Sequence, residues 1–138
     1  MHYHVRLEKE GRSWNAIFAD APGCATYGRS RVQALVAARE ALEGWLEAYL
    51  VDGRSPPRPA RTAKGTELVH VDPQLAVAIE LRWARQDAGL SQAELASRVG
   101  VSQQQIAKLE KPGANPSIVT LRKVAEAMGV RLQFELVA

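Results

Sequence analysis

The chain has 138 residues, 46% hydrophobic and 24% charged, which is enough apolar side chain to build a core and excludes a disordered polyelectrolyte. No apolar run is long enough to span a membrane, the start "MHYHVRLEKE" does not read as a signal peptide, and the single cysteine, Cys24, excludes an internal disulfide. The formal net charge of +3 is concentrated: residues 1–55 carry seven basic and seven acidic side chains and residues 67–138 carry eight of each, so the excess lies on Arg58, Arg61 and Lys64 in the stretch 56–66, "PPRPARTAKGT".

Taken in chain order, Tyr3, Val5 and Leu7 alternate with His2, His4, Arg6 and Glu8, the pattern of a strand with one buried face. Glu10-Gly11-Arg12 reads as a turn, and Trp14, Ala16 and Phe18 alternate in a second strand. Pro22-Gly23 marks another turn before a short third strand near Ala25–Tyr27. Ser30 then starts a long helix, with Gln33 completing a capping box. Leu35, Ala38, Leu42, Trp45, Leu46 and Tyr49 form its apolar stripe, and Gly53 stops it. The proline-rich basic stretch 56–66 reads as a semi-stiff connection, and "ELVHV" as a strand that returns to the first sheet. Residues 1–71 are therefore expected to form an α+β domain of order β-β-β-α-β.

Residues 72–138 read as an all-α domain with a C-terminal strand. Asp72 caps a helix that Pro73 opens and Gly89 ends. Ser91 with Glu94 and Ser102 with Gln105 are two capping boxes, and Ser117 starts a further helix that Gly129 ends. Val130, Leu132, Phe134 and Leu136 then alternate with polar residues. With no other strand in this half, that segment is expected to pair with its symmetry mate across a dimer axis; folding back on its own domain is the alternative.

Between these caps lies the chemistry. Ala96 is small, Gly100 suits a sharp turn, and Leu95, Val99, Val101, Ile106 and Leu109 supply one shared core, which together describe a helix-turn-helix. The second helix of such a pair enters the DNA major groove by its N-terminus, where Gln103, Gln104 and Gln105 sit. A glutamine amide can pair with adenine N6 and N7, and Lys108, a turn further on, can reach a guanine or a phosphate. Gln92 stands at a helix start where a phosphate is welcome. The bland alternative is a helical hairpin whose glutamines are only solvated. The stretches "LSQAELASRVGVSQQQIAKLE" and "NPSIVTLRKVAEAMGV" make residues Leu81 to Val130 resemble the phage-repressor-like (XRE) helix-turn-helix family. That resemblance implies that Gln103, Gln104, Gln105 and Lys108 face bases, and that Gln92, Ser102 and Asn115 hold DNA backbone.

Asp20, Pro22-Gly23-Cys24, Gly28, Ser30 and Pro56-Pro57 make residues 3 to about 60 resemble the HicB antitoxin family. Ala21 and Arg31-Val32-Gln33 depart from its pattern. The resemblance implies a truncated ribonuclease-H-like domain without catalysis, binding of a HicA-like mRNA-cleaving toxin that is small and basic, and repression of the chain's own operon. The carboxylates Glu40, Glu43 and Glu47 lie along one helix flank and do not converge as those of a metal nuclease must. They read as a solvated flank, or as an acidic surface that attracts a basic toxin. Cys24 reads as a small buried hydrophobe, His2 and His4 as an exposed strand edge lacking a third metal ligand, and Trp14, Trp45 and Trp83 as core. The expectation is a cytoplasmic, non-enzymatic antitoxin and autorepressor with no metal or cofactor, a dimer or tetramer that binds toxin and double-stranded operator DNA. The rival expectation is a stand-alone repressor whose first domain senses a small molecule.

Overall fold

The alternating first half folds as its periodicity requires. In the computed structural model, which describes all 138 residues, it forms β1 (His2–Glu10), β2 (Ser13–Phe18), β3 (Ala25–Gly28), α1 (Arg31–Val51) and β4 (Glu67–His70). The four strands make one antiparallel sheet of order β3-β2-β1-β4. The registers Val5↔Phe18 and Tyr3↔Val69 put these side chains on one face, and all four are buried. Ala34, Ala38, Leu42, Leu46 and Leu50, spaced by four, are the buried positions of α1. Each of the three leucines contributes about 1.5–3 kcal/mol on burial. The buried stripe runs about one position away from the expected one, so Leu35, Trp45 and Tyr49 are half-buried flanks. Trp45 Nε1 still donates to the Pro22 carbonyl at 3.2 Å, and its ring meets Tyr3 and Tyr49 edge-on. Trp14 and Trp83 are likewise half-buried.

Three further expectations are corrected in this half. Ser30 Oγ accepts from Gln33 N at 3.1 Å, but the Gln33 side chain does not return the bond, so the cap is one-sided. His4 is not an exposed edge residue: it is 3% exposed, with Nδ1 2.6 Å from Asp20 Oδ2. The carboxylate on the next loop draws the ring inward and closes over that part of the outer face. The stretch 56–66 is not a spacer either. Pro56 is buried, Tyr3 Oη donates to the Pro57 carbonyl at 2.6 Å, and Ala60 N donates to Asp20 Oδ2 at 3.0 Å.

The second half forms α2 (Pro73–Asp87), α3 (Gln92–Val99), α4 (Gln103–Leu109) and α5 (Ile118–Ala127). Asp72 Oδ2 accepts from Gln74 N and Leu75 N, capping α2, and Gly89 follows its end at φ +71°. The chain divides into two compact units, Met1–Ala76 and Val77–Ala138. The expected C-terminal strand is absent. Residues 130–138 carry no regular secondary structure, and Phe134 and Leu136 are 70% and 92% exposed. The physical reason is that the helical unit offers no second strand, and a single extended segment has no ladder to join.

Candidate nucleic-acid interface

The helical unit is assembled around Leu90, Leu95, Ala96, Ile106, Val124 and Met128, with Leu81, Ala84, Val99, Leu109 and Ala127 packed against them. α3 and α4 are joined by a tight turn. Gly100 adopts φ +85°, a left-handed conformation that costs a side-chain-bearing residue about 1–2 kcal/mol, and the amides of Gly100 and Val101 both return to the Ala96 carbonyl at 2.9 and 3.0 Å. Ala96, being small, lets α4 approach. Both expected capping boxes form: Ser91 with Glu94, and Ser102 with Gln105. The backbone and side-chain bonds from Ser91 hold the Glu94 carboxyl below the usual carboxylate range, so the first box is charged at neutral pH.

This frame fixes α4 with Ile106 inward and Gln103, Gln104, Gln105 and Lys108 exposed. Their roles differ in the structure. Gln103 and Gln104 are free at the helix start, and Lys108 lies one turn beyond Gln104 on the same flank. Gln105 Oε1 accepts from Ser102 N at 2.9 Å, so its acceptor is occupied by the cap and only its NH2 faces outward. Gln92 Nε2 donates to Glu110 Oε1 at 3.2 Å, tying that amide to the core rather than presenting it. Gln105, Lys108 and Asn115 line one open groove of about 750 Å³ between α4, the loop after it and the start of α5. Lys111 lines it too. Lys111 was not among the residues singled out from the pattern; its place in the loop "KPGANP" directly after α4 was the available signal.

A second feature missed in the sequence sits beneath α4. Glu110 is 3% exposed and receives Arg85 through Nε at 2.7 Å and Nη2 at 2.8 Å, and Arg82 Nη1 at 3.2 Å. Arg85 also donates to the Leu90 carbonyl at 2.8 Å. The hydrogen bonds that Arg85 donates to Glu110, more than the carboxylate's charge alone, hold the Arg85 proton tighter than usual. The cluster binds α2, the start of α3 and the end of α4. Two arginines three apart on a helix, flanked by the apolar Ala78, Ile79 and Leu81, were its sequence signature.

Charge favours this unit for a polyanion. Counted from Val77 onward it has eight basic and six acidic residues, because Glu67 and Asp72 lie in the other unit. In the first unit, Glu40 and Glu47 are exposed on α1, while Glu43 pairs with Arg39 at 3.2 Å. Glu40, Glu43, Arg39 and Asp72 line a shallow groove of about 500 Å³. Cys24 is buried, and burial pushes its thiol up to about 11. No group of three His, Cys, Asp or Glu side chains is arranged to hold a metal ion, and no helix is long and apolar enough to cross a membrane.

Comparison with known proteins agrees with both halves of this description. The helix-turn-helix family model matches residues 81–134. Antitoxin HicB 2 of Photorhabdus laumondii is 32% identical over 138 residues, covering 100% of this chain and 96% of the relative. Antitoxin HicB 1 of the same organism is 33% identical over 99% of this chain and 87% of its own length. Antitoxin HicB of Escherichia coli is 28% identical over 99% of this chain and all of its own.

Proposed function

The chain belongs to the HicB antitoxin family and carries a helix-turn-helix domain of the DNA-binding regulator type, and from that premise we propose that it neutralises a HicA-like mRNA-cleaving toxin and represses its own operon. The observation that carries the DNA reading is the pair of unoccupied amides, Gln103 and Gln104, on a capped helix start with Lys108 on the same flank. Lys108 and Asn115 on the adjoining groove support phosphate contacts there. Neutralisation is steric: the first unit covers the toxin's RNA site, with Glu40 and Glu47 facing the basic partner and Glu43 contributing less because Arg39 already compensates it. The β-β-β-α-β order supports a truncated ribonuclease-H-like scaffold for that unit.

Operator reading works best with two units about 34 Å apart on the duplex. The C-terminal segment suits this. Val130, Phe134 and Leu136 are exposed and Leu132 is half-buried, and exposed Ile118 on α5 shares a groove with Val130, Leu132 and Phe134, an apolar patch that a second copy would cover. In that pairing Val130, Leu132, Phe134 and Leu136 form the ribbon that a lone chain cannot.

The test replaces Gln103, Gln104 and Lys108 together by alanine and leaves Gln105 to keep the cap. Operator protection should vanish at physiological salt while silencing of the co-expressed toxin persists. Continued protection of the operator refutes the DNA reading; loss of silencing with the fold intact refutes the division of labour.

A further inference from the structure

Residues 53–66 contain Arg54, Arg58, Arg61 and Lys64 and no carboxylate. The structure converts this bias into a fixed surface. The segment is held to the first unit near its start and in its middle, where Pro56 is buried, Tyr3 Oη donates to the Pro57 carbonyl and Ala60 N donates to Asp20, and it runs directly into β4 after an internal bond from Thr66 Oγ1 to the Ala63 carbonyl. Burial pushes the Tyr3 hydroxyl well above its ordinary value, so it remains a donor. Pro56, Pro57 and Pro59 restrict the backbone further. Of the acids beside the segment, Asp52 pairs with Arg54 at 3.5 Å and Glu67 with Arg31, and the Asp20 side chain is buried, taking His4 N at 2.9 Å and His4 Nδ1 at 2.6 Å as well as Ala60 N. Arg58, Arg61 and Lys64 are exposed.

We propose that this pinned, acid-free segment is a second DNA-backbone surface that adds phosphate contacts to those of the helical unit. The proposal rests on the operator-binding reading above and extends it to the first unit. Three cations three residues apart span at most about 20 Å of chain, while a duplex presents a phosphate on each strand about every 3.4 Å of axis. Guanidinium groups match phosphate oxygens in pairs. The intervening Pro59, Ala60, Thr62 and Ala63 include no aromatic ring to stack an unpaired base and no large apolar anchor for a protein partner, so the chemistry fits a double-stranded backbone read without regard to sequence. Immobilising the segment in advance lowers the ordering cost of each contact.

The experiment measures binding of the full chain to a 30-base-pair duplex carrying its promoter and to a scrambled duplex, between 50 and 200 mM salt. The variants are Arg58→Gln/Arg61→Gln/Lys64→Gln and the charge-keeping Arg58→Lys/Arg61→Lys. Neutralising three contacts should flatten the plot of log K against log salt by up to about 2.7 on both duplexes, so that the native chain loses roughly forty-fold more affinity than the variant over that range. The lysine variant should keep the native slope, and circular dichroism should show all forms folded. An unchanged slope in the glutamine variant overturns the proposal, as does a loop-dependent slope on single-stranded RNA alone. A native chain that ignores promoter sequence but keeps a loop-dependent slope overturns the operator reading and leaves this surface standing. Failure to bind either duplex overturns both.

Discussion

Replacing Glu110 by alanine removes a carboxylate that two buried guanidinium groups share. The native site contains a two-point Arg85 pair at 2.7 and 2.8 Å, an Arg82 contact at 3.2 Å and the Gln92 amide at 3.2 Å. Truncating the carboxylate takes its charge away from Arg82 and Arg85, both nearly inaccessible to water, and leaves the Leu90 carbonyl at 2.8 Å to Arg85 as a neutral acceptor. Breaking a buried pair from one side costs about 3–5 kcal/mol. A unit of this size melts about 4–8 °C lower per kcal/mol, so the helical unit should lose on the order of 20 °C in Tm. Differential scanning calorimetry of the full chain reads this as a shift of one transition, with operator binding falling at the same temperature because α3 and α4 lose their common anchor. The triple change Arg82→Met/Arg85→Met/Glu110→Leu, which removes the charges together, should recover most of the loss. A cost under about 1 kcal/mol for Glu110→Ala, or one abolished by added salt, refutes the reasoning, because only a solvated pair behaves that way.

Gly28→Ala should destabilise the first unit by about 3 kcal/mol or more, since its Cβ would lie 2.4 Å from Ala34 N and 2.7 Å from the Gln33 carbonyl carbon, both backbone; a melt unchanged within 1 °C would contradict the close approach. Cys24 should resist alkylation at neutral pH and react only as the unit unfolds, because burial keeps it as the thiol; fast labelling of the native chain by a chromogenic disulfide would contradict this. His2 is held below its usual range, first by burial and then by His4, His70 and the N-terminal amine. The folded state therefore binds protons less readily there than the unfolded one, the stabilisation is present above pH 6.5 and is lost as pH falls, and His2→Asn should weaken the acid sensitivity of the melt. Truncation after Met128 should leave a folded monomer by sedimentation with operator affinity reduced at least tenfold; a truncated chain that remains fully dimeric and operator-binding rejects the ribbon.

What was legible in the sequence was local. Caps at Ser91, Ser102 and Ser117 and turn glycines such as Gly100 are settled by a few consecutive residues, and each appears where the pattern put it. Period-two alternation sufficed for β1 and β2. Apart from the unreturned Gln33 bond at Ser30 and the shifted stripe of α1, the errors occurred where a distant partner decides. His4 alternates as an outward residue, yet Asp20, sixteen residues on, draws it inside. The stretch 56–66 has the composition of a linker, yet Tyr3 and Asp20 hold it down. The C-terminal segment has the alternation of a strand, but strand formation needs a second strand, which the helical unit does not contain. The Arg82–Arg85–Glu110 cluster went unread because its members lie 25 and 28 residues apart.

The occupied amides change what a single unit can read. Of the four glutamines near the reading helix, Gln105 closes a cap and Gln92 is tied to Glu110, which leaves Gln103 and Gln104 for paired contacts with bases. Each good two-point base contact discriminates by about 1–3 kcal/mol, so one unit commands about 2–6 kcal/mol. Specific binding generally needs about 4–10 kcal/mol over random sequence. On the proposed operator reading one unit is therefore marginal and two bring the sum into range, which is the energetic argument for the proposed pairing. The remaining affinity has to come from phosphates. Lys108 and Lys111 are exposed on and directly after α4, as are Arg98, Arg122, Lys123 and Arg131 elsewhere in the helical unit, so only the part of the salt slope that is lost on changing residues 58, 61 and 64 should report on the first unit.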